Sequence, residues 1–137
     1  MICLDTNAVL AVLNSRVSPV RTRIVAALNQ GLPLWTSSIV LFELRYGASK
    51  SAHPERNIQR IADFLAGAIS VLPFESADAE EAGDIRATLE RAGTPIGPYD
   101  LLIAGQARRR KALLVTANAR EFARISGLLT QDWAAQE

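Results

Sequence analysis

Short apolar runs that end abruptly in polar residues alternate along this chain with longer segments of helical periodicity. The first run, Ile2-Cys3-Leu4, passes directly into Asp5-Thr6-Asn7. A short apolar run of this kind is typical of a buried parallel strand, because both faces of such a strand are covered. Further strands are predicted at residues 34–36, 70–74 and 112–116.

Segments with apolar residues at helical spacing fill the intervals between these strands. Ser18-Pro19 combines a capping hydroxyl with a proline at the first helical position, and Ser76 can cap the acidic helix that follows it. Thr6 or Asn7 can cap the first helix. Helices are therefore predicted to start near residues 8, 19, 39, 54, 77, 99 and 119.

This alternation predicts βαβ units, and therefore a central parallel sheet of about four to five short strands with helices on both faces. No internal repeat, low-complexity segment or linker interrupts the pattern. Residues 1–137 are accordingly interpreted as a single α/β domain. A domain of this size can bury about two-thirds of its unfolded surface.

The composition supports a folded domain of a reducing compartment. A hydrophobic content of 49% is enough for a core, and a charged content of 21% argues against disorder. Cys3 is the single cysteine and lies in an apolar strand, which favours a core thiol over a nucleophile. No apolar run approaches the length that a membrane span needs, and Met1 leads into a strand instead of a signal peptide. We expect a soluble, cytoplasmic protein.

The formal net charge of +1 conceals a segregation of the charges. Thirteen of the 15 basic residues are arginines, and four basic residues follow one another at Arg108, Arg109, Arg110 and Lys111. Acidic residues gather instead between positions 75 and 90. The planar guanidinium group suits phosphate, but charge alone favours a solvated helix face over a phosphate contact for the basic run.

Three carboxylates and one amide occupy positions that meet at one edge of the predicted sheet. Asp5 ends the first strand, and Glu43 lies in the helix after the second strand. Asp100 is in the first turn of the helix after a Gly/Pro-rich loop, and Asn118 follows the last predicted strand. Ligands of open parallel sheets bind outside the carboxyl ends of the strands. Converging carboxylates favour a cation, and oxygen ligands without His or Cys suit Mg²⁺ or Mn²⁺.

Each of these side chains also has a purely structural interpretation. Asp5 and Asn118 can cap the helices that follow them, and the positive end of its helix favours Asp100. Glu43 is harder to explain in this way, since the helix around it is apolar nearly all round and a lone carboxylate there is costly. Taken jointly, the four side chains favour a metal site.

Several classes of enzyme are excluded by what the sequence lacks. His53 is the single histidine, which rules out a ribonuclease that works through two histidines. A phosphate-binding glycine loop, a dinucleotide-binding motif and a nucleophile elbow are absent. A metal-assisted reaction at phosphate is the best-supported function. A receiver-like α/β domain and a non-catalytic RNA-binding module with an acidic pocket are the alternatives.

Blocks of residues along nearly the whole chain resemble the PIN-domain ribonucleases, and specifically the toxins of VapBC-type toxin–antitoxin pairs. Each block is weak alone, whereas the set is specific because order and spacing both match. The blocks are Leu4-Asp5-Thr6-Asn7, Ser38 through Glu43-Leu44-Arg45-Tyr46-Gly47, Gly93-x-x-Ile96-Gly97-x-x-Asp100-Leu101-Leu102-Ile103-Ala104, Thr116-Ala117-Asn118, Glu121-Phe122, Gly127-Leu128 and Asp132-Trp133.

This resemblance implies a PIN-like fold and an Mg²⁺- or Mn²⁺-dependent endoribonuclease, with tRNA as the substrate class. It also implies a homodimer and inhibition by a cognate VapB-type antitoxin. Asp5, Glu43 and Asp100 fall on the acidic ligand positions of the family, while Asn118 departs from the fourth acidic position. Glu121, one turn further on, is a possible substitute.

The hypothesis of metal-assisted hydrolysis also gives roles to residues around these positions. Thr6, Asn7 and Thr116 are expected to support the site, with Thr116 and Asn118 fixing its water network. The basic run from Arg108 to Lys111 would hold the RNA backbone without reading its sequence.

Two apolar helical stretches, residues 8–13 and 39–44, are more than a domain of this size is expected to hide. Part of this surface is therefore predicted to meet another chain. A groove that includes Leu10 and Leu13 would suit the apolar face of an antitoxin helix, whose arginine could pair with the carboxylates.

Overall fold

The computed structural model describes residues 1–134. Within this range, no helix is long and apolar enough to cross a membrane. The elements of the same range follow one another in the order β1 (Ile2–Leu4), α1 (Thr6–Leu13), α2 (Pro19–Asn29), β2 (Leu34–Ser37), α3 (Ser38–Ser49), α4 (Pro54–Leu65), β3 (Ile69–Leu72), α5 (Ser76–Arg91), α6 (Pro98–Arg109), β4 (Leu113–Val115), α7 (Ala119–Phe122) and β5 (Leu129–Gln131).

The strands form one parallel sheet in the order β3-β2-β1-β4-β5, with β1 at its centre. Leu4 lies opposite Thr36 of β2 on one side and Val115 of β4 on the other. These strands therefore end at the same edge of the sheet. Every residue of β1 and β2 is buried, as both faces of the sheet are covered. The predicted α/β class with a parallel sheet of four to five strands is confirmed.

The strand order separates this fold from receiver domains. Receiver domains have the order 2-1-3-4-5, in which the first strand lies between the second and the third. Here β1 lies between β2 and β4. The receiver-like alternative is therefore wrong.

The helix starts agree with the predictions within a few residues, but two caps differ. The Asp5 side chain, not that of Thr6 or Asn7, caps α1 by accepting a hydrogen bond from the N–H of Ala8. Glu75 caps α5 in place of Ser76, through a capping box with Asp78. In both cases a carboxylate one position before the predicted cap provides the stronger acceptor.

The strand β5 is the element that the sequence pattern did not predict. It is a three-residue edge strand whose side chains are exposed or half-buried, so it has no buried apolar run to indicate it. The backbone of Gln131 nevertheless accepts a hydrogen bond from the N–H of Thr116. Pairing with β4 therefore holds this strand, and Trp133 immediately after it is buried.

Candidate active site

Asp5 follows the central strand and is 3% exposed. Its N–H donates to the carbonyl of Val115 at 3.1 Å, which continues the pairing of β1 with β4 by one residue. Its Oδ1 accepts from the N–H of Ala8 at 2.8 Å. The capping interpretation of Asp5 is thus correct, and the same residue occupies the carboxyl edge at the centre of the sheet.

The surroundings of Asp5 raise its pKa to about 6. Burial is the largest cause, because desolvation penalises the charged form. Hydrogen bonds with the Thr116 side chain and the Ala8 backbone oppose this shift, whereas the charges of Asp100 and Glu43 add to it. The charged groups that act on Asp5 are therefore carboxylates of two other elements, which brings these three predicted residues into one electrostatic cluster.

Glu43 is half-buried on α3, and Thr6 holds its carboxylate. The Thr6 hydroxyl donates to Oε1 of Glu43 at 2.7 Å. This bond joins the first turn of α1 to α3 across 37 positions of sequence. Thr6 thereby orients the Glu43 carboxylate, while Asn7 next to it is exposed on the first turn of α1.

Asp100 lies in the first turn of α6, and its surroundings raise its pKa as well. Burial is again the largest cause, followed by the charges of Glu43 and Glu121. Glu121, predicted as a possible substitute for a fourth acid, is thus close enough to Asp100 to affect its protonation.

Asn118 connects this acidic cluster to the end of β4. Its side-chain Nδ2 donates to Oε2 of Glu121 at 2.8 Å, and its N–H donates to Oγ1 of Thr116 at 2.9 Å. The Asn118 side chain makes no capping bond to α7, so the capping interpretation is wrong for this residue. The amide instead orients Glu121 and is part of a chain of polar groups that reaches Asp5 through Thr116.

The cluster is open, not a closed cage for an ion. In residues 1–134, no three Asp, Glu, His or Cys side chains come close enough to enclose a metal together. The donor chemistry still fits Mg²⁺ or Mn²⁺, because Mg²⁺ keeps several waters and binds through only one or two carboxylates. Burial and, after it, neighbouring negative charge raise the pKa values of Asp5 and Asp100, and such a cation would neutralise that charge.

The arginine run makes different contacts from those the sequence suggested. Arg108 pairs with Glu81, Arg109 with the buried Asp78, and Arg110 with Glu75 at 3.2 Å. These acids lie on α5 and at its cap, and the arginines are at the end of α6 next to the start of β4. These ion pairs join α5 to α6, and the interpretation of the run as an RNA contact stays a prediction. Lys111 is exposed in the following turn.

A groove runs from the acidic cluster between α1, α3 and α4. Its cavity volume is about 240 Å³. Leu10 and Leu13, predicted as partner contacts, both line it, as does Glu43 at its acidic end. Arg60 of α4 also lines it, together with Ile61. The groove thus combines an apolar wall with charged groups of both signs.

The parallel sheet and the oxygen-bearing cluster at its carboxyl edge place the chain in a class, the nuclease-like α/β domains. Comparison with known proteins identifies the family. A model of the PIN domain matches residues 2–128. The chain therefore belongs to the PIN-domain family. It is 47% identical over 131 residues to the tRNA(fMet)-specific endonuclease VapC of Shigella flexneri, an alignment that covers 96% of each chain.

Solved structures agree with this assignment. The structure of VapBC2 from Rickettsia felis bound to a promoter DNA fragment matches with a TM-score of 0.91 and 35% identity, over 97% of this chain and 99% of the other. That of DNA-bound VapBC from Salmonella typhimurium matches with a TM-score of 0.88 and 42% identity, over the same shares. Within the PIN-domain family the chain groups with the VapC ribonucleases, which confirms the predicted family.

Proposed function

We propose that this chain is a metal-dependent endoribonuclease that hydrolyses a phosphodiester bond of tRNA and is the toxin of a toxin–antitoxin pair. The carboxylate cluster carries this proposal: burial raises the pKa of Asp5 most, and the charges of Asp100 and Glu43 raise it further. A fold gains nothing from such repulsion unless a ligand relieves it. The name of the Shigella flexneri relative supports tRNA(fMet) as the first substrate to test.

Asp5 and Asp100 would hold an Mg²⁺ or Mn²⁺ ion directly, and Glu43 would bind the ion or one of its waters. When bound, the ion supplies a more acidic water and neutralises charge on the phosphoryl oxygens. The role of the protein's own residues is to orient the carboxylates. Thr6 fixes the Glu43 carboxylate so that it can orient the attacking water, and Thr116 holds Asp5.

Asn118 would act as a positioning residue at the fourth acidic position of the family. Its hydrogen bond to Glu121 keeps that carboxylate beside Asp100. Glu121 therefore provides the negative charge that Asn118 itself lacks, which supports its role as the substitute acid.

Cleavage of purified tRNA(fMet) with Mg²⁺, Mn²⁺ or EDTA tests the activity directly. We expect cleavage with either ion, none with EDTA, and none in Asp100→Asn. Asp84→Asn on α5 is the matched control, because Asp84 is exposed and lies outside the cluster. Cleavage that persists in EDTA, or that Asp100→Asn leaves unchanged, would refute the proposal. A wild-type protein that binds RNA without cutting it would favour the non-catalytic alternative.

The groove beside the cluster is the proposed docking site of a VapB-type antitoxin. Its apolar wall suits one face of an amphipathic helix, and its acidic end suits an arginine of the partner. An arginine paired with Glu43 would occupy the position of the metal. The VapBC complexes from Rickettsia felis and Salmonella typhimurium support a partner of this kind.

Co-purification with the antitoxin encoded beside this chain tests the groove. Leu10→Glu or Leu13→Glu should weaken the complex strongly, since either change puts a charge on the apolar wall. Leu129→Glu is the control, because Leu129 is 65% exposed on β5, away from the groove. Equal affinities of all variants would place the antitoxin elsewhere.

We also expect the chain to form a homodimer, as the family resemblance implies. Multi-angle light scattering of the purified chain measures its mass directly. A toxin that acts on tRNA would work in the cytoplasm.

A further inference from the structure

Three buried polar side-chain atoms lie in the core beneath the arginine run, and none of them has a hydrogen-bond partner in the protein. They are Trp35 Nε1, Gln106 Oε1 and Arg110 Nε, and residues 1–134 contain no other buried side-chain nitrogen or oxygen of this kind. Trp35 is 2% exposed and Gln106 is fully buried. An unpaired polar atom in a core is costly, and buried polar groups in proteins nearly always have a partner.

The fold brings the three side chains to one place. Gln106 lies on α6 and Arg110 is its C-cap, four positions further on, so both side chains project from the same side of the helix. The guanidinium carbon of Arg110 is 5.7 Å from the centroid of the Trp35 ring. Gln106 reaches the neighbouring strand, because its Nε2 donates to the carbonyls of Leu72 and Pro73 at the end of β3, which pairs with β2.

The hydrogen bonds that these side chains already make define the chemistry of a shared partner. Gln106 Nε2 is occupied by two carbonyls, so its Oε1 remains as an acceptor. Arg110 Nη2 donates to Glu75 at 3.2 Å, which leaves its Nε–H as a donor. Trp35 Nε1–H can only donate. The partner must therefore accept two hydrogen bonds and donate one.

We propose that one buried water molecule binds at this point, accepts from Trp35 Nε1 and Arg110 Nε, and donates to Gln106 Oε1. Buried waters in proteins typically make about three hydrogen bonds to polar groups that are otherwise unpaired. A halide ion could accept from both donors but would leave the Gln106 oxygen unpaired. A larger ligand is excluded by the burial of Trp35 and Gln106.

This water joins β2 to the end of α6 through side chains that take no part in the proposed ribonuclease function. It also explains why a glutamine and an arginine are retained against the central strands, where an apolar side chain would need no partner. The site is polar and is surrounded by packed side chains, which are the conditions under which a water is held as part of the structure.

Nuclear magnetic resonance of the ¹⁵N-labelled protein tests the site in the unaltered chain. The chain has two tryptophans, Trp35 and Trp133, and therefore two indole N–H signals, which Trp35→Phe assigns. We expect cross-relaxation between water and the Trp35 indole proton, with opposite signs of the NOE and the ROE, as for a long-lived bound water. Trp133 is the internal control and should show none, because it is also buried and its Nε1 donates directly to Gln131 at 2.9 Å.

Two substitutions test whether the three atoms share one water. Gln106→Met removes the acceptor and Arg110→Met removes one donor, so each should abolish or clearly reduce the water signal at Trp35. Arg91→Met is the matched control, because Arg91 is exposed at the end of α5. Circular dichroism checks that each variant is folded. A high-resolution crystal structure of the wild type provides a second measurement, and should show one water oxygen within hydrogen-bond distance of all three atoms.

Absence of water cross-relaxation at Trp35 would refute the site. A direct hydrogen bond between Trp35 Nε1 and Gln106 Oε1 in the crystal structure would also refute it, as would an unchanged signal in both folded variants. If neither variant folds, the two wild-type measurements still decide. The tRNA cleavage assay is independent of all of these, so a protein that does not cleave tRNA contradicts the proposed function alone.

Discussion

Asp5 and Asp78 are both almost fully buried, at 3% and 0% exposure, but their charged neighbours have opposite signs. Asp78 accepts hydrogen bonds from the Arg109 side chain and from the N–H of Glu75, and Arg110 lies 4.0 Å away. Asp5 accepts from a backbone N–H and a threonine, and its charged neighbours are carboxylates.

The difference supports the proposal that Asp5 serves a ligand, whereas Asp78 maintains the fold. Arginines satisfy Asp78, and the hydrogen bond to Asp78, together with its charge, raises the pKa of Arg109. The desolvation of Asp5 is only partly compensated, and its neighbours increase the cost of its charge. A protein keeps an uncompensated buried carboxylate where a cation or a proton is to be bound.

The largest expected effect concerns activity. Asp5→Asn should reduce tRNA cleavage at least about 100-fold, the loss typical of removing one charged or polar group from an active site. Asp78→Asn should affect cleavage only as far as it destabilises the protein. Initial rates for both variants, each checked for folding by circular dichroism, make this comparison. Similar losses in two folded variants would contradict the assignment.

The second largest expected effect is the loss of stability when the ion pair between Arg109 and Asp78 is broken. Arg109→Met should lower the free energy of unfolding clearly, because it leaves the buried Asp78 with a weaker partner. The control is Arg86→Met, which removes an exposed i,i+4 pair with Glu90. That change should cost less than about 0.5 kcal/mol. Urea denaturation at pH 7 measures both, and equal costs would mean that the Arg109–Asp78 pair is not stabilising.

Urea denaturation over a range of pH tests whether the buried charge of Asp5 lowers the stability of the protein. The pKa of Asp5 is about 6 in the folded protein, against 3.8 for the ordinary group. Below pH 4 Asp5 is protonated in both the folded and the unfolded state, so its ionisation does not lower the free energy of unfolding. The cost grows as pH rises from 4 to 6 and reaches about 3 kcal/mol above that range. Asp5→Asn, which retains an oxygen to cap α1, should therefore be more stable than wild type at pH 8.

We expect this gain to approach about 3 kcal/mol at pH 8 and to vanish near pH 4, because an uncharged amide avoids the cost of the buried charge. Asp84→Asn should show no such pH-dependent gain. A variant that is less stable than wild type at pH 8 would show that Asp5 is compensated after all.

The smallest expected effect concerns the fourth position of the cluster. Asn118→Asp adds one negative charge beside Glu121 and should tighten Mn²⁺ binding severalfold, while lowering stability slightly without metal. Titration calorimetry measures the affinity. Asn29→Asp, at an exposed position on α2, controls for the net charge. Unchanged Mn²⁺ affinity in Asn118→Asp would place this residue outside the metal site.

The sequence by itself determined the elements and the edge at which the polar residues gather. The run Ile2-Cys3-Leu4 before Asp5 identifies the central strand, and Ser18-Pro19 marks the start of α2, because such signals depend on neighbouring residues alone. Alternation of strands and helices was enough to predict a parallel sheet. It also placed Asp5 and Asn118 after strands, and Glu43 and Asp100 in early turns of helices, at positions expected to share one edge.

Only the tertiary structure decided how each charge is used. Arg109 and Asp78 are 31 positions apart, and Thr6 and Glu43 are 37 apart, so their pairing depends on how helices pack and not on local pattern. The arginine run therefore suggested a phosphate contact from sequence, whereas packing of α5 on α6 gave it acidic partners. The edge strand β5 was missed for the same reason: its stability comes from pairing with β4, a contact that leaves no apolar periodicity in three exposed or half-buried residues.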